Sequence, residues 1–183
     1  MLRVATVSCS FSDDIVFENP SLVLYAVGCK WACPGCHNKS LQCFELNDDN
    51  TGLHEEAIIE IIKAKSEFLK KVSCHDLTVV GSGGDFFFQL EDWLALVHKI
   101  KLLCPYVKII WYTGADFSEE GGEDKCRLKE IDAILWGRLR NSDGLVVKQL
   151  SLAKDGHATI TDVIIGQYRP EFEDKNLQEI KKC

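Results

Sequence analysis

Four short apolar runs, each closed by glycine, constrain this chain more than any other feature of its sequence. They are residues 22–27 before Gly28, 77–80 before Gly81, 107–112 before Thr113-Gly114, and 131–135 before Trp136-Gly137. Continuous β-branched, aliphatic and aromatic content over so few residues reads as buried strand. Between the first two runs, residues 53–71 carry Ala57, Ile58, Ile61, Ile62, Lys65, Phe68 and Leu69 along one face at helical spacing. Residues 90–103 do the same through Trp93, Leu94, Val97 and Ile100 and stop before Pro105. Strand, loop, helix, strand is the order that builds a parallel sheet with right-handed crossovers. An edge strand over 3–8 and a further strand over 160–165 complete the expectation. The chain is too short for a closed eight-stranded barrel of about 250 residues. The expected fold is α/β: a partial (β/α) barrel of about five to six parallel strands with helices outside, in one domain over 1–183.

Parallel sheets place their chemistry at the carboxyl ends of the strands. The loop leaving the first core strand reads Gly28-Cys29-Lys30-Trp31-Ala32-Cys33-Pro34-Gly35-Cys36-His37-Asn38, a C-x3-C-x2-C spacing. Pro34 and Gly35 favour a tight turn that would bring the sulfurs together. Three thiolates can hold three irons of a [4Fe–4S] cluster and leave the fourth iron without a protein ligand. Zinc, with Cys43 or His37 as fourth ligand, is the competing reading, although zinc sites of this kind usually pair two C-x2-C units. The loop after the next strand, Gly81-Ser82-Gly83-Gly84-Asp85, offers main-chain N–H groups and one carboxylate. It matches neither a dinucleotide-binding nor a phosphate-loop pattern.

Composition narrows the classes. A net charge of −7 argues against a nucleic-acid partner. No run approaches the roughly eighteen apolar residues of a membrane span, and residues 1–7 are too soon interrupted by polar groups for a signal peptide. A cytoplasmic location is expected. Nine cysteines without a secretory signal favour metal ligation or free thiols over disulfides. Cys74, Cys104 and Cys126 read as small buried apolar residues, Asp13 and Asp14 as solvated surface, and Trp31 as packing or a cover for the cysteines. His37 and Asn38 stand beside the cysteines as turn residues or as contacts to whatever binds there.

The cysteine spacing after one strand and Ser82-Gly83-Gly84-Asp85 after the next resemble the radical S-adenosylmethionine superfamily. Cys33-Pro34-Gly35-Cys36-His37-Asn38 resembles its glycyl-radical activating enzymes. Within these, Ile110-Trp111-Tyr112-Thr113-Gly114 and residues 131–138 are similar to strands of the activating proteins of anaerobic ribonucleotide reductases. The resemblance covers about residues 22–140. It implies that Cys29, Cys33 and Cys36 hold a [4Fe–4S] cluster, and that Ser82, Gly83, Gly84 and Asp85 contact the methionyl ammonium of S-adenosylmethionine. It implies reductive cleavage of that cofactor to a 5′-deoxyadenosyl radical, which takes hydrogen from a glycine of a partner, the large subunit of an anaerobic ribonucleotide reductase. An electron donor such as flavodoxin is implied too. The chain departs from the pattern at Phe86, where the family usually has proline. A small-molecule radical enzyme resembling 7-carboxy-7-deazaguanine synthase is the second reading, and a non-enzymatic metal-binding module the third.

Overall fold

The computed structural model describes residues 2–45, 52–72, 75–115 and 128–137 in full, together with the backbone of 145–152 and 158–165. Seven strands lie in one sheet in chain order: β1 (Val4–Ser10), β2 (Ser21–Ala26), β3 (Thr78–Gly83), β4 (Lys108–Thr113), β5 (Ala133–Trp136), β6 (Leu145–Leu152) and β7 (Ala158–Ile165). Strands β2 to β5 run parallel, while β1 pairs antiparallel with β2 at one end and β6 and β7 continue antiparallel beyond β5. The expected α/β sheet is therefore present as an open, partial-barrel arrangement. Its parallel run has four strands, and the segment expected over 160–165 joins it through an antiparallel hairpin with β6.

Helix α1 (Glu55–Val72) connects β2 to β3, and α2 (Leu90–Leu103) connects β3 to β4. Both pack on the same face of the sheet. Ile58, Ile62 and Leu69 of α1 and Trp93, Leu96, Val97 and Ile100 of α2 share one core with Leu22, Leu24, Ala26, Val79, Ile109, Trp111 and Ile134. Alternation along the strands sends Val23, Val80, Ile110, Ala133 and Leu135 to the opposite face. The apolar stripe of α1 is narrower than its sequence suggests. Ile61 and Phe68 are exposed, and Ser66 takes a buried place between Ile62 and Leu69.

The face opposite the helices is covered by the β1–β2 connection, where Ile15, Val16 and Phe17 pack on the second core. Asp14 organises this cover from inside. Its carboxylate accepts from the amides of Val16, Phe17 and Asn19 and from the Thr78 hydroxyl at 2.5 Å, and the residue is buried. Asp14 thus corrects the expectation of a solvated surface residue: a short carboxylate satisfies several loop amides at once and is drawn inward with them. The Tyr112 hydroxyl donates to the Asp13 carbonyl and ties the same loop to β4.

Gln89 locks the other side. Its amide accepts from the Arg3 N–H at 2.8 Å and donates to the Arg3 carbonyl at 3.1 Å, in the manner of a strand residue. This holds the start of β1 beside the exit of β2, where Val27 N–H bonds the Arg3 carbonyl. The cysteine loop leaves from that point. Cys74, Cys126 and Cys183, Arg138, the acidic run 119–124 and Gly166 lie outside the described residues.

Candidate metal centre at the strand ends

Because β2, β3, β4 and β5 are parallel, residues 27–38, 84–85, 113–115 and 137 meet along one edge of the sheet. The cysteine loop is closed at its base by its own return. Gly28 N–H donates to the Leu41 carbonyl at 2.7 Å and Cys29 N–H to the Gln42 carbonyl at 3.1 Å. A single 3-10 turn, Lys39–Leu41, makes that return. Inside the loop, Cys36 N–H bonds the Cys33 carbonyl, a turn made possible by Gly35 at φ 71°. Ala32 also takes a left-handed conformation, φ 49°, in front of Cys33. A side chain bearing a Cβ is held there at some cost.

Cys29, Cys33 and Cys36 are all free thiols and all half-buried, whereas Cys43 on the returning segment is exposed. Burial pushes the Cys29 thiol above its ordinary value, against a backbone hydrogen bond from Trp31, and the charges of Asp85, Cys33 and Cys36 push the same way. Cys33 and Cys36 are thus within electrostatic reach of Cys29. Yet among the described residues no three Cys, His, Asp or Glu side chains are gathered around a single point able to hold one metal ion. A mononuclear zinc site needs its thiolates about 2.3 Å from one centre. An iron–sulfur cluster gives each thiolate its own iron and keeps the sulfurs further apart. The donor set fits a cluster: three unpaired, half-buried thiols on one loop.

The glycine loop that follows β3 is fused to the base of the cysteine loop. Gly84 N–H donates to the Ala26 carbonyl at 2.8 Å and Asp85 N–H to the Gly28 carbonyl at 2.9 Å, so the β2–β3 ladder runs on past the strands. Gly83, at φ 96°, makes the bend. Its carbonyl accepts from the Asn38 side chain at 3.2 Å, at the far end of the cysteine loop. Ser82 is half-buried and pairs with Tyr25 in register, on the face away from the helices.

Among the described residues, Asp85 is the one buried carboxylate at these strand ends, 1 % exposed. Oδ2 accepts from Trp31 Nε1 at 2.5 Å, the Thr113 hydroxyl at 2.8 Å and Gly114 N–H at 2.8 Å; Oδ1 accepts from Phe87 N–H at 3.0 Å. Burial raises its pKa from the ordinary carboxylate value, opposed by those four hydrogen bonds. Phe86, the departure from proline, is fully buried and stacks on Trp93 with centroids 4.2 Å apart. It anchors the turn in the helix-side core. Phe87 and Phe88 instead flank Trp31, at 5.4 and 5.0 Å.

Ser82, Gly83, Gly84 and Asp85 therefore do stand beside the cysteine loop, as their order in the chain suggested. What sequence reasoning did not find is that Asp85 turns inward onto Trp31 and Thr113. The Thr113-Gly114 pair carried the available signal, since a hydroxyl and an N–H at the next strand end are suitable donors for a carboxylate. His37 is exposed and Asn38 half-buried.

Comparison with known families assigns this strand-end loop of three thiols to an iron–sulfur class. Residues 20–154 match the family described as a 4Fe-4S single cluster domain, and the chain belongs to that family. Among individual proteins it is similar to the anaerobic ribonucleoside-triphosphate reductase-activating protein of Haemophilus influenzae. The two are 29% identical over 129 residues, 69% of this chain and 79% of the relative. The resemblance to radical S-adenosylmethionine activating enzymes stands on both findings.

Proposed function

We propose that this protein is a radical S-adenosylmethionine enzyme that generates a glycyl radical on a partner enzyme, an anaerobic ribonucleoside-triphosphate reductase. The observation that carries this reading is the set of half-buried, unpaired thiols of Cys29, Cys33 and Cys36 at the parallel strand ends, in a chain of the 4Fe-4S single cluster domain family. Similarity to the Haemophilus influenzae activating protein supplies the choice of partner. Cys29, Cys33 and Cys36 would hold the cluster. When bound, it supplies an electron and one iron free of protein ligands, the position for S-adenosylmethionine.

The rest of the edge is suited to the cofactor's methionyl end. In this reading Ser82, Gly83 and Gly84 would contact that end, with Gly83 and Gly84 held next to the thiol loop by Asn38 and the Ala26 carbonyl, and Asp85 shapes the turn from behind. Trp31, Phe87 and Phe88 form an aromatic cluster beside this turn. A protein substrate suits the geometry better than a small molecule. Among the described residues, Ile15, Val16 and Phe17 pack on the sheet face away from the helices, which leaves the strand ends as the side for a substrate in this reading. A single domain over 1–183, an electron donor such as flavodoxin and a cytoplasmic location belong to the same reading. Among the described residues no helix is long and apolar enough to cross a membrane.

The test is to mix anaerobically reconstituted, reduced protein with S-adenosylmethionine and an anaerobic ribonucleotide reductase. Release of 5′-deoxyadenosine together with a glycyl-radical resonance on the reductase is expected. Cofactor cleavage without any protein radical would move the function to small-molecule chemistry, and no cleavage would end the reading.

A further inference from the structure

We propose that Asp85 is a positioning residue: through Trp31 it clasps the cysteine loop to the end of β4 and so sets where the three thiols stand. Trp31 lies between Cys29 and Cys33, inside the loop whose sulfurs matter. Its indole N–H is held by Asp85 Oδ2, and the same oxygen takes the Thr113 hydroxyl and Gly114 N–H from the next strand end. One carboxylate oxygen thus joins three segments. Four donors converge on this carboxylate, three of them on Oδ2 and one on Oδ1.

The neighbourhood is built around the indole. A Cβ on Gly114 would lie 2.5 Å from Trp31 Cδ1 and 2.8 Å from its Nε1, so glycine there lets the ring seat against the β4 end. Phe87 and Phe88 close on it from the other side. Thr113 is oriented to donate because its hydroxyl oxygen accepts from Ala115 N–H at 3.1 Å. At the loop's far end, the Asn38 amide grips the Gly83 carbonyl. Two of the 29–38 loop's attachments to the sheet edge, through Trp31 and Asn38, therefore end on Asp85 and Gly83 respectively; Cys33 and Cys36 lie between them and Cys29 just before the first. Removing the clasp should release the loop locally while α2 and the core remain folded.

The inference concerns the metal-free chain and stands or falls separately from the cofactor reading. The experiment is amide hydrogen exchange on metal-free wild type, Trp31→Phe and Asp85→Asn. Trp31→Phe keeps an aromatic ring and the Asp85 carboxylate, and deletes the clasping N–H together with one fused ring. In both variants the peptide spanning 29–38 should exchange about tenfold faster, the effect of one charge-assisted hydrogen bond on a local opening. Exchange over 90–103 should not change. Both variants should also retain less iron after reconstitution. If Asp85→Asn does not fold, Trp31→Phe alone decides the question. Wild-type exchange over 29–38 in the Trp31→Phe protein would overturn the clasp. So would variants in which Asp85→Asn lowers only S-adenosylmethionine affinity, which is the signature of direct contact.

Discussion

Gly84 and Gly28 approach so closely that a Cβ on Gly84 would lie 2.7 Å from the Gly28 carbonyl oxygen and 3.0 Å from its nitrogen. The Ala26 carbonyl, at 2.8 Å from the same position, leaves no alternative direction. This contact is where the cysteine loop and the glycine turn are welded. The obstacles are backbone atoms, which cannot swing aside. Gly84→Ala should therefore destabilise the fold by about 1–3 kcal/mol, the usual cost of overpacking. Urea denaturation of the metal-free protein would measure it. Wild-type stability would show that the two loops can slide apart freely.

The β1–β2 cover hangs on Asp14. Asp14→Ala removes the acceptor for three amides and the Thr78 hydroxyl in a buried setting. A loss of roughly 2–4 kcal/mol is expected, because unsatisfied buried donors cost more than a hydrogen bond contributes. Asp14→Asn should lose less. Equal midpoints for the wild type and Asp14→Ala would contradict the role.

Tyr112 gives the cover a pH signature. Its hydroxyl donates to the Asp13 carbonyl, and burial, aided by the Asp13 and Asp14 charges, pushes its ionisation well above the ordinary tyrosine range. The folded value being raised, its contribution is complete below about pH 10 and is lost as pH climbs toward the folded value. Above about pH 10 the wild type should lose up to roughly 1.4 kcal/mol per pH unit that Tyr112→Phe does not lose. At neutral pH the variant should be less stable by about 1 kcal/mol. Parallel stability–pH curves for the two proteins would refute this.

The thiols make a pattern of their own. Cys29→Ala, Cys33→Ala and Cys36→Ala should each abolish S-adenosylmethionine cleavage, while exposed Cys43→Ala should retain it. Full cleavage by a reconstituted Cys33→Ala protein would defeat the ligand assignment.

Much of this was readable from residue patterns alone. Helix α2 begins and ends where its apolar spacing and Pro105 place it, and the four parallel strands follow their glycine-closed apolar runs. The cysteine loop declared its place because it follows one of those runs. Other features were hidden for physical reasons. β6, Leu145–Leu152, lacks clean alternation, and although Asn141-Ser142-Asp143-Gly144 and Asp155-Gly156 flank it with turn residues, its antiparallel pairing with β5 breaks the parallel pattern of the preceding strands. Asp14 and Asp85 look alike in sequence to any exposed carboxylate. Their burial depends on donors contributed by residues 64 and 28 positions away, Thr78 and Thr113. Ser66 lies on the buried side of α1 because the stripe turns toward Leu69, leaving Phe68 outside. Phe86 reads as a lost proline, and becomes intelligible only against Trp93.

The most direct test of the central claim is electron paramagnetic resonance on anaerobically reconstituted, reduced protein, recorded with and without S-adenosylmethionine. A [4Fe–4S]⁺ signal that changes when the cofactor is added is expected, since three cysteine ligands leave one iron open. A signal indifferent to the cofactor, or zinc bound with no cluster, would contradict it and make the loop a structural metal site.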